Sequence, residues 1–403
     1  MECDDSIQPA PLPATAPSTH PPLRDRSHKG RRKANGHALR AKKRVEARSS
    51  AYGHFVARAK VRQRYVDNAE PIQCSANIAN SSVTQNAFVA KNNAPRSQKT
   101  HSLSEMVGEG SQYGFKLVPW DGRTPIPIVD QKRRLVTVLA GYPATDPRWP
   151  TLTQQAAQAL EERRSRCKIP PKKRIHRRGA FIALNTGVSH GSGQTHPSNL
   201  SNPDNEQILE ELQQMEAFKR IAGFSSACMA SWTPGLYNHY ATELGKLHRS
   251  DPKLRRTFPS SIFSATTYNF GPRTTSFKHV DFANLPYGWC AVTALGSFDP
   301  KKGGHIILWD LHLVVEFPPG SVILLPSAIV AHSNTTISAD ERRYSFVQYS
   351  AGALFRWVEN DFKKSVDFYA SLSPERLLEV QAKNKRRWEV GLSLFPSLKA
   401  QST

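Results

Sequence analysis

Hydrophobic and polar positions fall into three regimes along the chain. Up to about residue 105 no period is sustained, which predicts disorder. From 110 onward short apolar runs begin, and strands are predicted over 114–120, 135–140 (LVTVLA) and 180–184. A helix is predicted over 152–162, with Thr151 as its N-cap. Ile208, Leu209, Leu212, Met215, Phe218 and Ile221 keep helical spacing and predict one helix over 205–221. Leu236, Tyr237, Tyr240, Leu244 and Leu247 form a second stripe over 234–247, with Pro234 at the first helical position.

From Ser261 the period shortens to two. Strands are predicted over 261–270, 276–282, 289–297, 305–309, 313–317, 322–325 and 343–349, separated by turn signals at 299–304 and 318–320. Helices return over 361–370 and 374–388, the latter with Ser373 as N-cap and Pro374 first. Many short strands at this spacing argue for a jelly roll or barrel. The expected architecture is α+β: a double-stranded β-helix (jelly-roll) core over 260–356, an α/β extension over 110–259, a helical segment over 357–403, and a disordered basic region over 1–109.

Composition adds a partner. The chain has 403 residues and a formal net charge of +22. Residues 1–100 carry 18 Lys/Arg against 7 Asp/Glu, half of that excess. Such a balance favours a polyanion, with nucleic acid the default. The run 29–48 (KGRRKANGHALRAKKRVEAR) reads as a basic arm. The run 163–178 (RRSRCKIPPKKRIHRR) holds nine Lys/Arg in sixteen residues, and Pro170 and Pro171 prevent a single helix there. It reads as a nuclear-localisation or DNA-backbone patch, so the expected location is the nucleus. The Gly/Ser segment after Leu184 lacks the GK[ST] ending of a phosphate loop. Five cysteines without a CxxC pair argue against a zinc finger or a disulfide framework and point to a reducing, intracellular setting. No apolar run reaches the ~18 residues of a membrane span, and the acidic, then Pro-rich start does not read as a secretory signal.

Candidate chemistry enters at His279-Val280-Asp281. In a strand, residues i and i+2 share a face, so an imidazole and a carboxylate project side by side. His332, 51 residues after Asp281, is the candidate third ligand. Two histidines and one carboxylate on one face of an octahedron leave positions open for an α-keto acid and O2. Zinc would favour a tetrahedral set, often with thiolates, and no cysteine is placed to help. Arg342 and Arg343 both follow the distal histidine, but neighbours in a strand face opposite ways. Arg343 and Ser345 share a face, where a guanidinium forks onto a carboxylate and a hydroxyl adds a further bond. Arg343 is therefore expected inward and Arg342 outward.

Residues from about 260 to 360 resemble the dioxygenase domain of the TET/JBP family, nearest to its basidiomycete fungal branch. The motifs that carry the resemblance are NFGPRTTSFKHVDFANLPYGWCAVTALGSFDPKKGGHIILWDL, PPGSVILLPSAIVAHSN and RRYSFVQYSAGALFRWVEN. Weaker likeness in LVTVLAGYPATDPRW and GVSHGSGQTHPSNL extends it to about residue 110. The resemblance implies Fe(II) held by His279, Asp281 and His332, and 2-oxoglutarate held by Arg343 and Ser345 with His305 touching it. It implies a DNA base flipped from the duplex and met by Asn284 and Tyr349. The implied reaction oxidises a base methyl group with O2, while 2-oxoglutarate becomes succinate. The first candidate substrate is 5-methylcytosine in DNA, taken to 5-hydroxymethylcytosine and beyond. Ala351 stands where animal members place a base-gripping histidine, so cytosine, thymine and N6-methyladenine stay open. Two rival readings use the same residues: a protein side-chain hydroxylase, and a DNA-binding homologue without turnover.

Overall fold

The computed structural model describes residues 57, 59–92, 97–191 and 193–398, together with Asn35, Gly36, Leu39 and Arg40 of a separate N-terminal unit. Those four are helical, and the rest of the 29–48 arm lies outside the described residues.

Among the described residues the main body holds two sheets. The larger has nine strands in the order Ile72–Gln73, Ile126–Val129, Leu135–Gly141, Val322–Leu325, Cys290–Ser297, Arg342–Tyr349, Ala265–Asn269, Ala183–Ser189 and Ser198–Asn199. The smaller has four, in the order His332–Asn334, Ile306–Leu308, Leu313–Val315 and Lys116–Val118. Most pairs are antiparallel; Ile72–Gln73 on Ile126–Val129 and Lys116–Val118 on Leu313–Val315 are parallel.

Strand alternation sorts side chains between two environments. On Arg342–Tyr349, Tyr344 and Phe346 enter a core with Leu295, Tyr268, Phe218 and Trp149. That core is covered by helices Trp149–Arg164, Glu206–Gln214 and Glu216–Trp232. Burying each such side chain contributes about 1.5–3 kcal/mol. The alternate residues Arg343, Ser345 and Val347 face the other way, into a cavity they share with His332 and Ile306 of the smaller sheet. The helix-backed core thus fixes one face of the strand and leaves the other for chemistry. No helix among the described residues is long and apolar enough to cross a membrane.

Several expectations need correction. Residues 59–92 and 97–109 were expected to be disordered, yet they contain a strand and contribute Ile78, Phe88 and Met106 to the cores. These apolar residues are widely spaced, and only neighbours distant in sequence bury them. The first long helix starts at Trp149, so Thr151 lies inside it and Arg148 sits at the N-cap without a side-chain cap. The helix over 205–221 is two helices, broken at Met215, whose backbone is extended (φ −65°, ψ 131°). Both halves still bury their stripe, so the periodicity survives the break. Helix Gly352–Glu359 was not anticipated, and the one expected over 361–370 is confined to Ser365–Ala370. Asp361 and Phe362 have φ of 52° and 59°, and two left-handed residues in succession cannot continue a helix. Ser373 does cap Pro374–Ser393, its hydroxyl accepting the Arg376 N–H at 3.3 Å.

The segment 276–282 is not a regular strand. It makes isolated bridges, Ser276 to Gly179 and His279 to His332. The isolated bridge from His279 to His332, not an extended ladder, positions the HxD segment.

Candidate metal centre and substrate pocket

His279 and His332 exchange both backbone hydrogen bonds, at 3.1 and 2.9 Å. The bridge brings their rings together, with centroids 4.3 Å apart and planes tilted by 53°. Asp281 is fixed two residues on, its N–H donating to the Ser327 carbonyl at 2.8 Å. Its two carboxylate oxygens each lie 3.9 Å from one imidazole Nε2, one from His279 and one from His332. The three side chains offer ligand atoms all within 4.8 Å of one another.

The tautomers follow from the neighbours. His279 Nδ1 lies 2.8 Å from the Phe277 carbonyl, and His332 Nδ1 lies 2.9 Å from the Val330 carbonyl. A carbonyl only accepts, so each Nδ1 carries the proton and each Nε2 lone pair turns toward Asp281. Burial, and then the neighbouring His332, push the His279 pKa down to about 3, so the ring is neutral at physiological pH. Burial of Asp281 pushes its pKa up, but His279, Arg178, His332 and Arg177 together pull it well below the ordinary carboxylate range. Two imidazoles whose Nδ1 atoms donate to carbonyls and one ionised carboxylate, without a thiolate, suit a divalent iron centre of the 2-His-1-carboxylate kind.

Arg343 forms the deep wall of the same cavity and is 1% exposed, whereas Arg342 is exposed. Its Nη1 donates to the Thr274 carbonyl at 2.7 Å, while its Nε has no partner. The rings of Phe298 and Phe317 flank the guanidinium at 5.8 and 6.0 Å, and it makes no ion pair among the described residues. Burial lowers its pKa to about 10, so it stays charged. A buried, unpaired cation is costly unless an anion joins it. Ser345 Oγ accepts from Asn269 Nδ2 at 2.8 Å, which leaves its O–H to donate. Thr274 Oγ1, also on the cavity wall, is buried without a partner. These donors fit the carboxylate end of a 2-oxo diacid. Gly304 keeps the wall open: its φ is +72°, and a Cβ there would lie 2.6 Å from Phe298 and 3.2 Å from the Arg343 stem. The cavity volume is about 50 Å³.

His305 does not line this cavity. It is fully buried, with Nδ1 2.9 Å from Thr335 Oγ1 and Nε2 unpartnered. Burial and then the Arg343 charge lower its pKa to about 4.

Asn284 and Tyr349 line a second cavity, which shares Asp281, Arg178 and Val347 with the first. Asn284 Nδ2 donates to Ser327 Oγ at 3.1 Å, and Ala351 pairs with Asn284 across an isolated bridge. His176, Arg177 and Asn185 complete the wall. Sequence reasoning placed His176, Arg177 and Arg178 only in a basic patch and gave Asn185 no role. Their charge density was visible, but not their approach to Asp281. Arg177 donates to the Val280 carbonyl at 2.9 Å and to Asp281 Oδ1 at 3.1 Å.

The side chains thus define a candidate mononuclear metal centre with an anion site on one side and a second cavity on the other. No family model matches the chain, and no curated protein matches it. Among solved structures it is similar to one described as NgTET1 in complex with 5mC DNA, at 14% identity and a TM-score of 0.43, covering 60% of this chain and 84% of that one. It is also similar to an oxidoreductase of the 2OG-Fe(II) oxygenase family from Burkholderia pseudomallei, at 20% identity and a TM-score of 0.28, covering 48% of this chain and 77% of that one. Both likenesses are distant, and the functional reading rests on the side chains described above.

Proposed function

We propose that this chain is an Fe(II)- and 2-oxoglutarate-dependent dioxygenase of nuclear DNA, built on a double-stranded β-helix and acting on a methylated base, with 5-methylcytosine the first candidate. The observation that carries the reading is one cavity holding the His279–Asp281–His332 cluster opposite a buried guanidinium with no anionic partner.

His279, Asp281 and His332 would hold Fe(II), which supplies the oxidation of the methyl group by O2 together with 2-oxoglutarate. Arg343, with Ser345 and Thr274, binds the far carboxylate of 2-oxoglutarate and so sets which end faces the metal ligands. Phe298 and Phe317 keep water from the guanidinium, which strengthens that pairing. In the second cavity Tyr349 offers a ring face to a flipped base and Asn284 a carboxamide to its edge. The shared Asp281 wall brings the base methyl group beside the metal ligands.

Incubation of methylated DNA with the protein, Fe(II), 2-oxoglutarate and O2, followed by nucleoside mass spectrometry, tests this. A new hydroxymethyl nucleoside formed with succinate is expected. No change in 5-methylcytosine, thymine or N6-methyladenine sinks the DNA reading. DNA affinity is also expected to fall steeply with salt as phosphate contacts release counterions.

A further inference from the structure

Six of the nine charges of the 163–178 patch divide into two groups. Arg163, Arg164 and Arg166 are engaged by Glu161, Glu162 and Glu211. Lys172, Lys173 and Arg174 are exposed and form no ion pair among the described residues. Between these open cations and the second cavity stands Ile175, 57% exposed. Burial within the chain does not explain an isoleucine in that setting.

The residues that follow hold Ile175 in place. His176 and Gly179 exchange backbone hydrogen bonds at 3.0 and 3.1 Å, closing a tight turn. His176 Nε2 reaches the Phe181 carbonyl at 3.0 Å, and Gly179 bridges to Ser276. Arg177 fastens the turn to Val280 and Asp281. The lining of the second cavity begins at His176, one residue after Ile175.

We propose that Ile175 is a wedge that enters the base stack of a DNA duplex and fills the gap left by the nucleotide that moves into the second cavity. The inference rests on the DNA reading above and deepens it. A flipped base leaves an unstacked step, and apolar side chains such as isoleucine are suited to occupy one. A β-branched side chain is stiff at χ1 and loses little rotamer freedom on insertion. Lys172, Lys173 and Arg174 lie on the approach, where they meet phosphates and set the depth of entry. The rigid turn then couples insertion at Ile175 to placement of the base beside Asp281.

The test compares Ile175→Ala with the wild-type full chain on duplex and single-stranded DNA of one sequence carrying 5-methylcytosine. Because Ile175 is exposed, the variant should melt at the wild-type temperature. Its kcat/KM on duplex is expected to fall about tenfold, with single-stranded turnover unchanged, and Ile175→Leu should restore the duplex rate. A 2-aminopurine next to the target base should brighten with wild type and less with Ile175→Ala, without any turnover. A variant that keeps the wild-type ratio of duplex to single-strand rates, or loses both equally, overturns the wedge. A wild-type protein that oxidises neither form, whether the target is 5-methylcytosine, thymine or N6-methyladenine, overturns the DNA reading and the wedge with it.

Discussion

Replacing Arg343 by methionine should separate binding from stability. The guanidinium is 1% exposed, and its pKa falls from the ordinary 12.5 to about 10 through burial. That fall corresponds to about 3 kcal/mol of cost to the charged form. Its compensation within the chain, the bond from Nη1 to the Thr274 carbonyl, is worth about 1.5–3 kcal/mol for a charged donor. The two nearly cancel, so Arg343→Met should leave the ligand-free protein within about 1 kcal/mol of wild type. The ligand response should differ sharply. Wild type with Mn(II) and 2-oxoglutarate at about 100 times its Kd gains about 2.7 kcal/mol, and Arg343→Met should gain almost none. At about 2 °C per kcal/mol for a large domain, the wild-type shift is about 5 °C in a thermal melt, and calorimetry gives the affinity directly. Two results refute the reasoning. One is a 2-oxoglutarate shift retained in Arg343→Met. The other is a ligand-free variant melting many degrees low, which would make Arg343 a structural cation.

Three further outcomes are expected. Alanine at His279 or asparagine at Asp281 should abolish Mn(II) binding, read by electron paramagnetic resonance, while circular dichroism stays unchanged. Gly304→Ala, which combines a left-handed backbone with a Cβ 2.6 Å from Phe298, should cost about 1–3 kcal/mol in denaturant melts and weaken 2-oxoglutarate binding. Acid should destabilise the fold: His305 binds a proton near pH 6.5 when unfolded but only near 4 when folded, so the unfolded state takes up more protons between those values and stability is lost as pH is lowered through them. By pH 5.5 His305 alone should account for about 1 kcal/mol, and His305→Gln should flatten that part of a stability–pH curve.

The sequence by itself determined much of the element content, because periodicity records which face of each segment is buried. The apolar runs at Leu135–Gly141 and Val322–Leu325 and the stripe of Pro234–Ser250 were legible for that reason. So was the inward turn of Arg343, since strand alternation sets it against Arg342 and with Ser345. What only the tertiary structure decided depends on pairing across distance. His279 meets His332 through one isolated bridge, in a segment whose own pattern wrongly suggested a full strand. The fold of residues 59–92 and 97–109 and the break at Met215 arise because burial by remote neighbours outweighs weak local preference. The second cavity is the clearest case. Charge density marked residues 163–178, but only the packing of their final turn against Asp281 set Arg177, Arg178 and Asn185 around Asn284 and Tyr349.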